Sequence, residues 1–178
     1  MGIRVNPPRG TPEREELIER LQDRAKFVRL ETVRLTRIAG AGHYTSTFSA
    51  AELFAALYYA VLQYRPDEPG WPDRDRFVLS KGHAAIGLYP VLADVGFFPE
   101  SLLDNYTRLD SAFGDHPDMR KIPGADFSSG SLGHGLSISV GMALGARVQG
   151  RSFRVYCMMG DGELAEGARV AWIRLGVT

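Results

Sequence analysis

One cysteine, Cys157, stands alone in the chain, so no intrachain disulfide can form and the core has to hold the fold. Its neighbours Val155, Tyr156 and Met158 are apolar, the setting of a buried, inert thiol, and such cysteine usage suits a reducing compartment. An excess of one charge is missing too. Lys plus Arg and Asp plus Glu number 21 each, which leaves no field to collect nucleic acid or an anionic membrane. No apolar run reaches the roughly 18 residues of a membrane span, and Met1 to Pro12 lack the apolar centre of a secretory signal. A soluble, cytoplasmic protein is expected. There is no internal repeat, no G-x-G-x-x-G or G-x-x-x-x-G-K-[ST] phosphate fingerprint, and no His or Cys pair at zinc spacing.

What is there is enough for a core. With 178 residues, 44% of them hydrophobic, the chain has the length of one domain and can bury roughly 68 to 70% of its unfolded surface. Residues 1 to 12 read as a loose arm rich in charge and proline. Thr11-Pro12-Glu13 then starts a helix, followed by Leu17, Leu21, Ala25, Val28, Leu35 and Ile38 at helical steps, and Gly40 ends it. Its arginines from Arg20 to Arg37 are interleaved with Glu19, Asp23 and Glu31, the pattern of a solvated face. Ser49-Ala-Ala-Glu52 matches a capping box, with Leu53, Phe54, Leu57, Tyr58, Val61 and Leu62 forming a wide apolar stripe behind it.

After a turn-rich connection, residues 76–80 read as a short strand buried on both faces, and Lys81-Gly82-His83 opens at its end. Helices are predicted over 84–95 and from Pro99 to about Thr107, then a long Gly, Pro and Asp-rich loop over 110–130. Residues 131–148 read as a helix despite Gly133, Gly135, Gly141 and Gly145, so something must pack close to that backbone. A second strand, 153–159, runs into Gly160-Asp161-Gly162. Strands separated by helices give an α/β fold with a mostly parallel sheet, whose ligands sit at the carboxyl ends of the strands.

Those ends carry the chemistry. Asp161 is one carboxylate between two glycines, a setting that suits Mg²⁺ carried by a phosphate group, although an Asp-Gly turn alone is common in such folds. All four histidines, His43, His83, His116 and His134, lie beside or near glycine in turns or helix starts and not on apolar helix faces, which points to a shared polar pocket. Ser128 to Gly135 feeds a glycine-rich helix whose first amides suit a phosphate or a polar ring.

In order, Gly42-His43 with Phe48-Ser49-Ala-Ala-Glu52-Leu53, Asp75-Arg-Phe-Val-Leu-Ser-Lys-Gly82-His83, His116-Pro117, Ser129-Gly130-Ser-Leu132-Gly133-x-Gly135-Leu136, and Gly160-Asp161-Gly162-Glu163 with Glu166-Gly167 resemble the transketolase family of thiamine-diphosphate enzymes. The likeness covers about residues 15 to 167 and is greatest to the separate N-terminal subunit of a split enzyme. It implies a three-layer αβα thiamine-diphosphate-binding fold, cut short on its C-terminal side, over residues 13–167. It also implies transfer of a two-carbon ketol unit between sugar phosphates, as in pentose phosphate metabolism. A C-terminal partner subunit holding the pyrimidine-binding domain would be required, and this chain would be inactive alone.

By the same resemblance Asp161 would coordinate Mg²⁺, Gly162 would lie against the diphosphate, and His83 would hydrogen-bond it. Gly130 and Leu132 would contact the pyrimidine side, His43 and His116 would address donor hydroxyls, and Glu166 would join a carboxylate network at the subunit interface. Departures accompany the likeness. Tyr44-Thr45-Ser46 replaces a usual glycine pair, and His134 stands where glutamine is usual. Residues 168–178 diverge from the family, as an out-of-frame tail on a truncated subunit would, and lack the asparagine that gives Mg²⁺ its second protein ligand. Two other readings stay open: a related enzyme such as 1-deoxyxylulose-5-phosphate synthase, and a non-catalytic remnant or interaction module.

Overall fold

The computed structural model describes residues 10–166. Most of the expected N-terminal arm, and the whole of the expected tail at 168–178, lie outside the described residues. Helix α1 runs Pro12–Ala39 with proline in its first turn and Ala25, Val28, Thr32 and Leu35 buried at steps of three or four. Gly40 closes it at a φ of 74°, a left-handed conformation that favours glycine, and its N–H bonds the Thr36 carbonyl at 2.9 Å. Three arginines of α1 hold acidic neighbours: Arg24 meets Asp94 at 3.2 Å, Arg29 meets Glu52 at 2.6 Å, and Arg34 meets Asp104 at 2.6 Å. At such exposure each pair is worth about 0–1 kcal/mol.

The capping box is not formed. Helix α2 spans Tyr44–Phe48 and α3 spans Ala51–Ala56, the latter continuing as a π-helical turn over Leu57–Val61. Ser49 still has helical dihedrals at the end of α2, so its hydroxyl turns back to the Ser46 carbonyl at 2.9 Å instead of capping α3. Glu52 is taken by Arg29. The apolar stripe is buried at Phe54, Tyr58 and Leu62, whereas Leu53 is 54% exposed.

Strands β1 (Arg76–Leu79) and β2 (Val155–Met158) pair in parallel, with Arg76 opposite Val155 and Leu79 opposite Met158. Side chains alternate across the sheet. Phe77 meets the rings of Phe54 and Tyr58 at centroid distances of 6.0 and 5.5 Å on the core side. On the other side lies α5 (His134–Val148), where Ser139 neighbours Cys157. Helix α4 (Ala85–Asp94) is buried from Ala85 through Ala93 and is the centre of the core. Helices on both faces of a parallel sheet make the α/β architecture that the sequence predicts.

Two elements differ from expectation. Residues Glu100–Asn105 form a 3₁₀ helix and not an α-helix, because the chain swings out at Thr107, whose φ is 58° and whose N–H bonds the Phe113 carbonyl at 2.8 Å. Close packing along the glycines of α5 occurs only at its start. A Cβ on Gly135 would stand 2.7 Å from the Ser80 Cα, while one on Gly141 or Gly145 meets nothing among the described residues. Cys157 is half-buried; burial pushes its thiol up, against the effect of Ser139. Among the described residues no helix is long and apolar enough to cross a membrane.

Candidate functional site

β1 and β2 end side by side, and both break at once into polar turns. The pairing runs one step past the strands, since the Ser80 N–H bonds the Met158 carbonyl at 2.9 Å. Beyond it the chain carries Lys81, Gly82 and His83 into a 3₁₀ turn that leads to α4. Gly82 is a close approach: a Cβ there would lie 2.6 Å from the Ser129 hydroxyl and 2.9 Å from the His116 ring. Loop 110–130 is thereby laid against the end of β1. Its root is a buried ion pair, Arg74 to Asp126 at 2.7 Å, and Asp126 also accepts from the Phe77 N–H at 2.8 Å, so the loop is fixed to the strand's first residues.

Three of the four histidines come together. The His43 and His83 rings meet edge to face at 5.2 Å, and His116 packs over Gly82 beside them. His43 Nε2 lies 3.6 Å from the Asp115 carboxylate. His134 is exposed at the first position of α5 and makes no ring contact with the other three. Burial holds His83 below the ordinary histidine value, helped by the neighbouring His43, Lys81 and His116 and opposed by Glu163. Its ring is therefore neutral at pH 7, with one N–H to donate. Lys81 is buried, and desolvation lowers its pKa while Glu163 and Asp161 raise it. Its ammonium donates to the Ser46 carbonyl at 3.0 Å and to the Ser49 hydroxyl at 3.5 Å.

The turn after β2 is tied to that group from below. Glu163, 2% exposed, accepts from the Ser80 hydroxyl, from the Gly133 N–H at 2.9 Å and from the Gly160 N–H at 3.0 Å. Ser80 accepts in turn from the Gly135 N–H at 3.1 Å. Asp161 is exposed and within electrostatic reach of Lys81. It also lines a cavity of about 700 Å³ with Leu53, Leu57 and Leu164. Gly130 and Gly162 are exposed, and a Cβ on either would meet nothing within 4 Å among the described residues, so their backbones are open to a ligand there. Leu132 is 39% exposed. Glu166 is exposed and its side chain rests against Gly133.

This donor set suits a phosphate-bearing anion with a divalent cation. The Ser129 hydroxyl is buried beside Gly82 and has no hydrogen-bond partner among the described residues, while Lys81 and His83 bring one cation and one neutral donor. Among the described residues no group of three or more His, Cys, Asp or Glu side chains is arranged to hold a metal. A lone Asp161 therefore fits Mg²⁺ that keeps water and phosphate ligands, and not an all-protein cage. The sequence reading named His43, His83, His116, Gly130, Leu132, Asp161, Gly162 and Glu166; it missed Ser80, Lys81, Asp115, Ser129 and Glu163. Ser80, Lys81, Ser129 and Glu163 lie inside the quoted motifs, so the signal was present. Their partners are set by the tertiary fold, as the 83-residue separation of Ser80 and Glu163 illustrates.

Residues 21–176 match the family model described as transketolase, thiamine diphosphate binding domain. The transketolase of Pongo abelii is 44% identical over 155 residues, spanning 86% of this chain and 25% of that protein. The 6-deoxy-6-sulfo-D-fructose transketolase subunit SqwG of Clostridium sp. (strain MSTE9) is 43% identical over 147 residues, spanning 83% of this chain and 54% of that subunit. Among solved structures, transketolase from Leishmania mexicana superposes with a TM-score of 0.80 at 28% identity, covering 87% of this chain and 25% of that one. The chain thus spans about a quarter of the full-length relatives and about half of the subunit it matches.

Proposed function

This chain belongs to the transketolase family, and we propose that it is the diphosphate-binding part of a split, thiamine-diphosphate-dependent transketolase acting with a C-terminal partner subunit. The reaction class is transfer of a two-carbon ketol unit between sugar phosphates, and the setting is cytoplasmic. One observation carries the reading: the turns after β1 and β2 meet, so that Lys81, in the same turn as His83, stands by the Gly160-Asp161-Gly162 turn. The similarity to a relative named as a subunit supports the need for a partner.

In this reading Asp161 holds Mg²⁺, the open backbone at Gly162 lies against the diphosphate, and the neutral His83 donates its ring N–H to a diphosphate oxygen. Lys81 adds positive charge from a position where burial limits screening by water. Gly130 and Leu132 flank the pyrimidine side, Gly130 allowing close approach and Leu132 supplying apolar contact. Thiamine diphosphate, when bound, supplies the carbanion-stabilising centre for breaking and making the carbon–carbon bond. His43 and His116 orient the donor's hydroxyls by hydrogen bonding, with Asp115 beside His43 Nε2 to fix that ring. Glu166 belongs to the carboxylate network facing the partner. The group that activates the cofactor lies in the partner's domain, so the isolated chain is inactive.

Titration calorimetry with thiamine diphosphate and Mg²⁺, with and without the partner subunit, tests this. Saturable heat that requires Mg²⁺ and is abolished by Asp161→Ala is expected. Its absence under both conditions would leave the chain as a non-catalytic remnant. Ketol transfer is expected only in the mixture.

A further inference from the structure

Among the described residues, Glu163 is the carboxylate that bonds to all three segments facing the cleft. It lies in the 3₁₀ turn Gly162–Ala165, directly after Asp161, and its side chain is buried. One of its oxygens accepts from Ser80 Oγ at the end of β1 and from the N–H of Gly133 at the mouth of α5. The other accepts from the N–H of Gly160 at the end of β2. Ser80 passes the link on, accepting from Gly135 N–H. Gly133 and Gly135 both sit where a side chain would collide, with Glu166 and Ser80 respectively, so these segments are packed as closely as they are bonded.

We propose that Glu163 is a positioning residue: a single buried carboxylate sets the relative placement of the Lys81–His83 turn, the Gly130–Gly135 segment and the Asp161 turn. The role rests on the cofactor reading above, because those are the segments assigned to diphosphate, pyrimidine side and Mg²⁺. Glu163 itself contacts no ligand in that reading. All of its described acceptor bonds are spent inside the protein, and Asp161 is left exposed to do the binding. A carboxylate is needed for the task because it alone offers acceptor oxygens on both sides. Glutamine keeps one carbonyl oxygen for Ser80 and Gly133 but turns an amide donor toward the Gly160 N–H. Alanine removes both sides.

The two variants therefore separate in amide hydrogen exchange on the full chain. Glu163→Gln should speed exchange at Gly160 by roughly tenfold or more while leaving Gly133 and the amides of α1 and α4 protected. Glu163→Ala should speed it at Gly133, Gly135 and Gly160 together. In calorimetry below the unfolding temperature, Glu163→Gln should weaken binding of thiamine diphosphate with Mg²⁺ by roughly 10- to 100-fold, as loss of a supporting bond behind a metal ligand does. Adding Ser80→Ala to Glu163→Ala should weaken it little further, because both act through one network. Unchanged exchange at all three segments, or a uniform rise across the chain, would overturn the proposal. So would a lower unfolding temperature with unchanged cofactor affinity. If the unaltered chain binds no cofactor, the functional reading fails, and the exchange pattern alone still decides whether Glu163 sets the three segments.

Discussion

A methyl group added at position 135 would come within 2.7 Å of the Ser80 Cα, whereas one added at position 141 meets nothing among the described residues. Both glycines lie in α5, where alanine is favoured over glycine by roughly 0.5–1 kcal/mol. Gly141→Ala should therefore stabilise by about that amount. Gly135→Ala should lose about 1–3 kcal/mol through overpacking at Ser80, and urea denaturation reads both. His83 gives a pH signature at the same scale. Unfolded, it takes up a proton near pH 6.5, and burial lowers that value in the fold. Between the two values the unfolded chain holds more protons, so stability is fully present above pH 6.5 and falls as pH drops toward the folded value. His83→Asn should flatten that acid-side slope in denaturation midpoints measured across the window; an unaltered slope would count against the assignment. His43, His83 and His116 were legible because each neighbours or lies near a glycine in a turn. Glu163 was not, since nothing local marks which distant amides a buried carboxylate will serve.

At the scale of elements, the loop over 110–130 is held by a side-chain anchor and not by regular structure. Arg74 and Asp126 bond through both guanidinium nitrogens, at 3.0 and 2.7 Å, with side chains only 10% and 4% exposed. Asp126→Ala would strand the Arg74 charge and free the Phe77 N–H, a loss of about 3–5 kcal/mol. The exposed pair Arg151 and Asp73, at 3.1 Å, is the contrast, and its removal should cost about 0–1 kcal/mol. Equal losses in chemical denaturation would mean that the loop is not anchored as described. The strands, α1 and α4 were readable because their apolar spacing and end signals agree with their burial. The capping box was not, because the rule reads Ser49 as the start of a helix when its own backbone still belongs to the end of the one before. The six residues Glu100–Asn105 were misjudged for a similar reason: proline marks a helical start, but the bend at Thr107 that fixes the helix type comes from pairing with Phe113.

For the molecule as a whole, the parallel sheet with helices on both sides followed from the alternation of strands and helices, but the exposure along one edge of it did not. Leu53, Leu57, Val155 and Leu164 line the cavity that Asp161 also borders, and Leu53 is among the most exposed large apolar side chains of α3. The formal charge is zero, with a sequence pI near 6.9, so little electrostatic repulsion keeps molecules apart at neutral pH while this apolar edge is open. Leu53→Lys places a charge on that edge without touching the buried stripe of Phe54, Tyr58 and Leu62. As an exposed substitution it should shift stability by no more than about 0.5 kcal/mol. It should also lower the fluorescence of a bound hydrophobic dye and raise solubility at pH 7, where light scattering follows self-association. If dye binding and scattering stay as they are, the edge beside Asp161 is not the surface through which the chain associates, and the balance of charge alone governs its solubility.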